Sequence, residues 1–76
     1  MIQNKIYTPS SNEDFVNIIW ERQRQLGLSD YQLARESGLS RSTISRWKSG
    51  KREPMTNQLL SLFPVVGLEI KVIEKD

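Results

Sequence analysis

The stretch ARESGLSRSTI, residues 34–44, leaves this chain few ways to fold. Gly38 stands between two short segments of helical apolar spacing, and reversing the chain in three or four residues there needs a positive φ, which glycine supplies at little cost. Two helices crossing at a wide angle need a small residue where they touch, and Ala34 is placed to be that residue. Ser40 follows the turn as an N-cap, and Ile44 is spaced to anchor the inner face of the second helix. The spacing predicts helix, tight turn, helix over 30–47.

The flanks extend this into a mainly α chain of four helices. Ser11 or Asn12 caps a first helix that closes at Gly27, with Glu13 and Asp14 at the positive end of its dipole. Phe15, Ile18, Ile19 and Trp20 form its apolar face, which resumes at Leu26. Trp20 is expected to be at least partly buried. A second helix runs from the cap Ser29 to Gly38, with Leu33 and Ala34 inward. The third spans residues 41–48, with Ile44 and Trp47 in the core, and Ser49-Gly50 stops it. Thr56 or Met55 begins a fourth helix whose apolar side is Leu59, Leu60, Leu62 and Phe63. Pro64 kinks that helix or ends it near Phe63. The chain thus divides into an arm (1–10), a helical domain (11–67) and a tail (68–76).

The charge is unevenly spread. Residues 1–40 carry four basic and five acidic side chains, residues 41–52 five basic and none acidic, and residues 53–76 two basic and four acidic. The basic block sits on the third helix and the loop after it. Facing outward there are Arg41, Ser42, Ser45 and Arg46, with Ser40 at the helix start. Arginine can bond the O6 and N7 of guanine together, and serine reaches several bases. The expected reading is therefore DNA bases at Ser40, Arg41, Ser42, Ser45 and Arg46, with Thr43, Lys48, Lys51 and Arg52 as candidate DNA phosphate contacts. Tyr31 is expected at the surface, near the DNA-facing end of the second helix.

Other chemistries find no support. The chain has no His and no Cys, so it lacks the commonest general base, a thiolate metal site and disulfides. It shows no nucleophile elbow, no glycine-rich phosphate loop and no carboxylates at metal-ligand spacing. No enzyme activity, cofactor or membrane association is expected, and the cytoplasm is the expected location.

The stretch LSDYQLARESGLSRSTISRWKSGKREP resembles the lambda-repressor-like, or Xre-type, helix-turn-helix family, with the similarity running roughly from Phe15 to Gly67. The resemblance implies four or five short helices with the third in the major groove. It places Arg41, Ser42 and Arg46 at base-reading positions, Ser40 and Ser45 at positions that sometimes join them, and Ser49 and Lys51 at phosphate contacts. Three residues depart from the pattern. Asp30 replaces the frequent Gln of the second helix and would repel a phosphate, so that contact is not carried over. Arg22 takes the place of an apolar core residue, where its stem can pack while its head reaches solvent. Pro64 interrupts what is usually continuous helix.

LEIKVI, residues 68–73, alternates like a strand and stands where the family has a fifth helix. A lone strand needs a partner for its N–H and C=O groups. Two candidates are the arm Ile2–Tyr7 and the same strand of another copy. In an antiparallel two-fold pair centred on Ile70, Glu69 faces Lys71 and Leu68 faces Val72, so charge and apolar character both match. A homodimer would carry two reading helices to an inverted repeat. The expected function is a homodimeric transcriptional repressor. The two ends also resemble antitoxins of the HipB kind, which implies the alternative of an autorepressing antitoxin with a toxin protein as partner. A third alternative is an adaptor that kept the fold without DNA binding.

Overall fold

The computed structural model describes residues 5–75. Among them are four helices: α1 (Asn12–Leu26), α2 (Asp30–Ser37), α3 (Arg41–Lys48) and α4 (Thr56–Leu62). Short polar caps set the boundaries. Ser11 Oγ accepts from the Asp14 N–H at 3.1 Å, and the Asp14 carboxylate accepts from the backbone N–H and hydroxyl of Ser10, both at 3.0 Å. Those bonds hold the Asp14 carboxyl below the usual aspartate range, the Ser10 backbone N–H foremost. Ser29 and Gln32 cap α2 reciprocally, Ser29 Oγ accepting from Gln32 N–H and Gln32 Oε1 from Ser29 N–H. The N–H of Met55 finds Gln58 Oε1 at 3.0 Å at the start of α4.

The core is one cluster built from all four helices: Ile19 of α1, Leu33 and Ala34 of α2, Ile44 and Trp47 of α3, Leu59 and Leu62 of α4, closed by Phe63 and Val66. α2 packs against both α3 and α4, and α1 against α4. Phe15 meets Phe63 edge-on with ring centroids 5.8 Å apart, a favoured aromatic geometry. Ala34 is buried in the α2 helix, as expected of the small residue on its inner side.

Two leucines expected to face inward do not. Leu26 and Leu60 are exposed, at 46% and 49%. Leu26 is the last residue of α1, where the chain already leaves the bundle, and Leu60 lies beside the inward-facing Leu59 on the outer side of a seven-residue helix. Pro64 resolves in favour of termination. Regular helix ends at Leu62, and a further turn follows in which the Val66 N–H bonds Leu62 O at 3.2 Å. Gly67, at φ +72°, then turns the chain, with its N–H on Pro64 O and that of Leu68 on Phe63 O.

Residues 68–75 form no strand, and no sheet is present among the described residues. Among the described residues nothing pairs with the tail backbone beyond Leu68. Leu68 is packed against the core of its own chain, while Ile70, Val72 and Ile73 are exposed. Ile2 and Asn4 of the arm, and Asp76, lie outside the described residues. Among the described residues no helix is long and apolar enough to cross a membrane.

Candidate nucleic-acid interface

α3 is short, so its placement depends on how its two ends are held. At the entry, Gly38 adopts φ +79° and its N–H bonds Ala34 O at 3.0 Å. The Ser37 hydroxyl donates to Leu33 O at 2.6 Å and its oxygen accepts from Leu39 N–H at 3.3 Å, tying the turn to α2. Ser40 Oγ accepts from Thr43 N–H at 3.1 Å and lies 2.7 Å from Thr43 Oγ1 and 3.0 Å from Ser42 Oγ. The inner face is sealed by Ile44 and Trp47.

The exit is held by contacts that the sequence does not announce. The Lys48 ammonium donates to Asp30 Oδ1 at 2.6 Å and to Gln23 Oε1 at 2.7 Å, and lies 4.9 Å from the centroid of the Trp20 ring. Gln23 is only 7% exposed, yet both ends of its amide are satisfied, because Nε2 donates to Leu28 O at 3.0 Å and Asp30 Oδ1 at 2.8 Å. One cluster therefore joins α1, the loop after it, the first residue of α2 and the last residue of α3. The bonds from Lys48 first, and from Gln23 next, hold the Asp30 carboxyl below the usual aspartate range. Asp30 is thus answered from within the fold.

Between these anchors, α3 presents Arg41, Ser42, Ser45 and Arg46 to solvent on the face opposite Ile44 and Trp47. Among the described residues neither arginine enters an ion pair, and Lys51 and Arg52 in the following loop enter none. Arg41 opens α3 and Lys51 and Arg52 follow its end, with Asp30 within Coulombic reach of Arg41. Together the unpaired cations of this segment supply the positive charge that attracts a polyanion. The Gly50 N–H bonds Trp47 O and the Lys51 N–H bonds Arg46 O at 3.0 Å, which brings the loop back beside the helix.

The remaining expected contact residues also bond within the fold. The Lys48 ammonium, expected at a phosphate, donates to Asp30 and Gln23 while its side chain stays one-third exposed. Thr43 is half-buried, with its hydroxyl on the Ser40 cap. Ser49 donates its hydroxyl to Arg46 O at 3.0 Å, and Ser40 is occupied as the cap. The expected tail interface residues Glu69, Ile70, Lys71 and Val72 are exposed and away from this patch in sequence, and Leu68 is half-buried.

Arg22, expected to pack by its stem, also uses its head within the fold. Its Nε donates to Val66 O at 3.1 Å and its Nη1 to Gln25 Oε1 at 2.8 Å. Gln23 is the residue that sequence reasoning passed over, read only as part of the polar run ERQRQ. A polar residue four positions after the core residue Ile19 was the available signal.

A family model described as helix-turn-helix matches residues 18–63, more than half of the chain. No curated protein and no solved structure matches it.

Proposed function

The chain belongs to the Xre-type helix-turn-helix family, and from that premise we propose that it is a sequence-specific DNA-binding transcription regulator whose reading helix is α3. The observation that carries this is the division of α3 into two sides. Ile44 and Trp47 are locked in the core, while Arg41, Ser42, Ser45 and Arg46 face solvent with no acid paired to the arginines. Lys51 and Arg52 flank them as phosphate contacts, and Arg46 is assigned to a base edge. Selection of bound sites from random DNA with the purified protein tests the reading. Arg46→Ala should weaken the selected site by about 1–3 kcal/mol and relax one position of it. Equal loss on every sequence would move Arg46 to a phosphate role, and failure to select any sequence would overturn the regulator.

The regulator acts as a homodimer on an inverted repeat and represses by occupying a promoter. Three features favour the tail as the dimer contact: its apolar Ile70, Val72 and Ile73 are exposed, its backbone beyond Leu68 is unpaired among the described residues, and Glu69 and Lys71 complement each other about Ile70. Ile70→Lys is expected to yield a monomer by sedimentation at concentrations where the wild type is a dimer. A variant that still sediments as a dimer would rule out pairing centred on Ile70.

A further inference from the structure

Tyr31 lies on α2, outside the reading helix, and the residue is 54% exposed. Two guanidinium groups approach that ring. Arg35, one helical turn further along α2, has Cζ 5.6 Å from the ring centroid. Arg41, the first residue of α3, has Cζ 5.9 Å from it. Both distances fall within the range in which a cation is attracted by the ring face. The two arginines differ in what else holds them. Arg35 donates to Glu36 Oε1 at 3.2 Å. Arg41 makes no ion pair and no side-chain hydrogen bond among the described residues; the Asp30 carboxylate attracts it only at Coulombic range, and the ring is the group its head lies over.

Order matters more for Arg41 than for a phosphate-binding cation. Bidentate contact to guanine requires a planar fork in one orientation, whereas a phosphate accepts a charge from many directions. An arginine at the first position of a helix, facing solvent, otherwise samples many rotamers that binding must then freeze. An aromatic face beside it removes part of that freedom beforehand. We propose that Tyr31 is a positioning residue for base reading: its ring pre-orders the Arg41 guanidinium across the turn, so that α2 contributes to the sequence preference of α3. The proposal rests on the DNA-binding reading above. It assigns the function to the ring, not to the hydroxyl, and this separates it from a simple phosphate contact by the phenol.

Two substitutions divide these roles, and neither should threaten the fold, because the side chain is mostly in solvent. Tyr31→Phe keeps the ring and loses the hydroxyl; Tyr31→Leu loses both. With the full chain, affinity for the selected operator and for its single-base variants is measured alongside the Arg41 Nε–Hε resonance in DNA-free protein. The expected result is that Tyr31→Phe matches wild type in affinity, base preference and ring-shifted resonance. Tyr31→Leu should bind the operator about 2- to 5-fold more weakly, as a lost exposed cation–π contact implies. Its loss should be confined to the base pair that Arg41 reads, and the resonance should return to an unshifted position.

Two outcomes overturn the proposal. One is a Tyr31→Leu variant with unchanged preference and an unchanged Arg41 resonance. The other is a Tyr31→Phe variant weakened on all sequences alike, which gives the hydroxyl to a phosphate. If the wild type selects no DNA sequence, the regulator itself falls, and base positioning by Tyr31 falls with it. If it selects one and the Leu variant selects the same, only the role of Tyr31 is lost.

Discussion

Raising salt from ~50 to ~200 mM is expected to weaken operator binding by the dimer about 10⁴-fold. The figure follows from the charge left free on the DNA-facing surface. Of the basic residues in 41–52, Lys48 is paired with Asp30, which leaves Arg41, Arg46, Lys51 and Arg52. Each of those cations brings one positive charge into the field of the phosphates, Lys51 and Arg52 at a phosphate and Arg41 and Arg46 at base edges in the groove between them. A subunit thus displaces about four counterions and a dimer about eight, and log Kobs falls with log salt at about −0.9 per charge neutralised. The slope for two subunits is therefore about −7. A single subunit would give about half that slope, and a loss of about 10²-fold over the same interval. One titration, followed by fluorescence anisotropy on a labelled duplex, thus reads both the electrostatic contact and the number of subunits engaged. A slope near zero would contradict the electrostatic basis of the interface.

Ile44→Ala is expected to cost about 2–5 kcal/mol of folding stability. Ile44 has 0% exposure and sits where α3 meets the rest of the core, so its removal leaves a cavity that four short helices have little freedom to collapse into. A domain of this size has roughly 4–11 kcal/mol in all, so the substitution takes a large share of it. The thermal midpoint should fall by at least ~10 °C. Val72→Ala, at a position 96% exposed, should stay within about 0.5 kcal/mol in one copy and serves as the control. Thermal and urea melts at low protein concentration check both. Comparable stability for Ile44→Ala and wild type would mean that α3 is not anchored through its inner face.

What could be read from the sequence was what depends on neighbours along the chain. Ser11, Ser29 and Ser40 cap as expected, and Gly27 and Gly38 end their helices in the left-handed conformation, because a cap is a bond made within three or four residues. The inner residues Ile44 and Trp47 followed from helical spacing. The Lys48–Asp30–Gln23 cluster did not, since Lys48 and Gln23 are 25 positions apart and meet only through the way three helices cross. Composition counts Lys48 with the cations of the basic block, and only the fold shows that it also bonds Asp30 and Gln23. The tail shows the opposite limit. Its alternation expresses a preference for extended pairing, but no such pairing forms among the described residues.

The contacts that hold α3 and the side chains that it presents belong to separate residue sets. Ile44, Trp47 and Lys48 tie the helix to its scaffold, and the side chains of Arg41, Ser42, Ser45 and Arg46 take no part in those contacts. On the proposed DNA-binding reading, target choice and structural integrity would be uncoupled: a different regulatory address could be written at four positions while the framework beneath, unaltered, continued to support it.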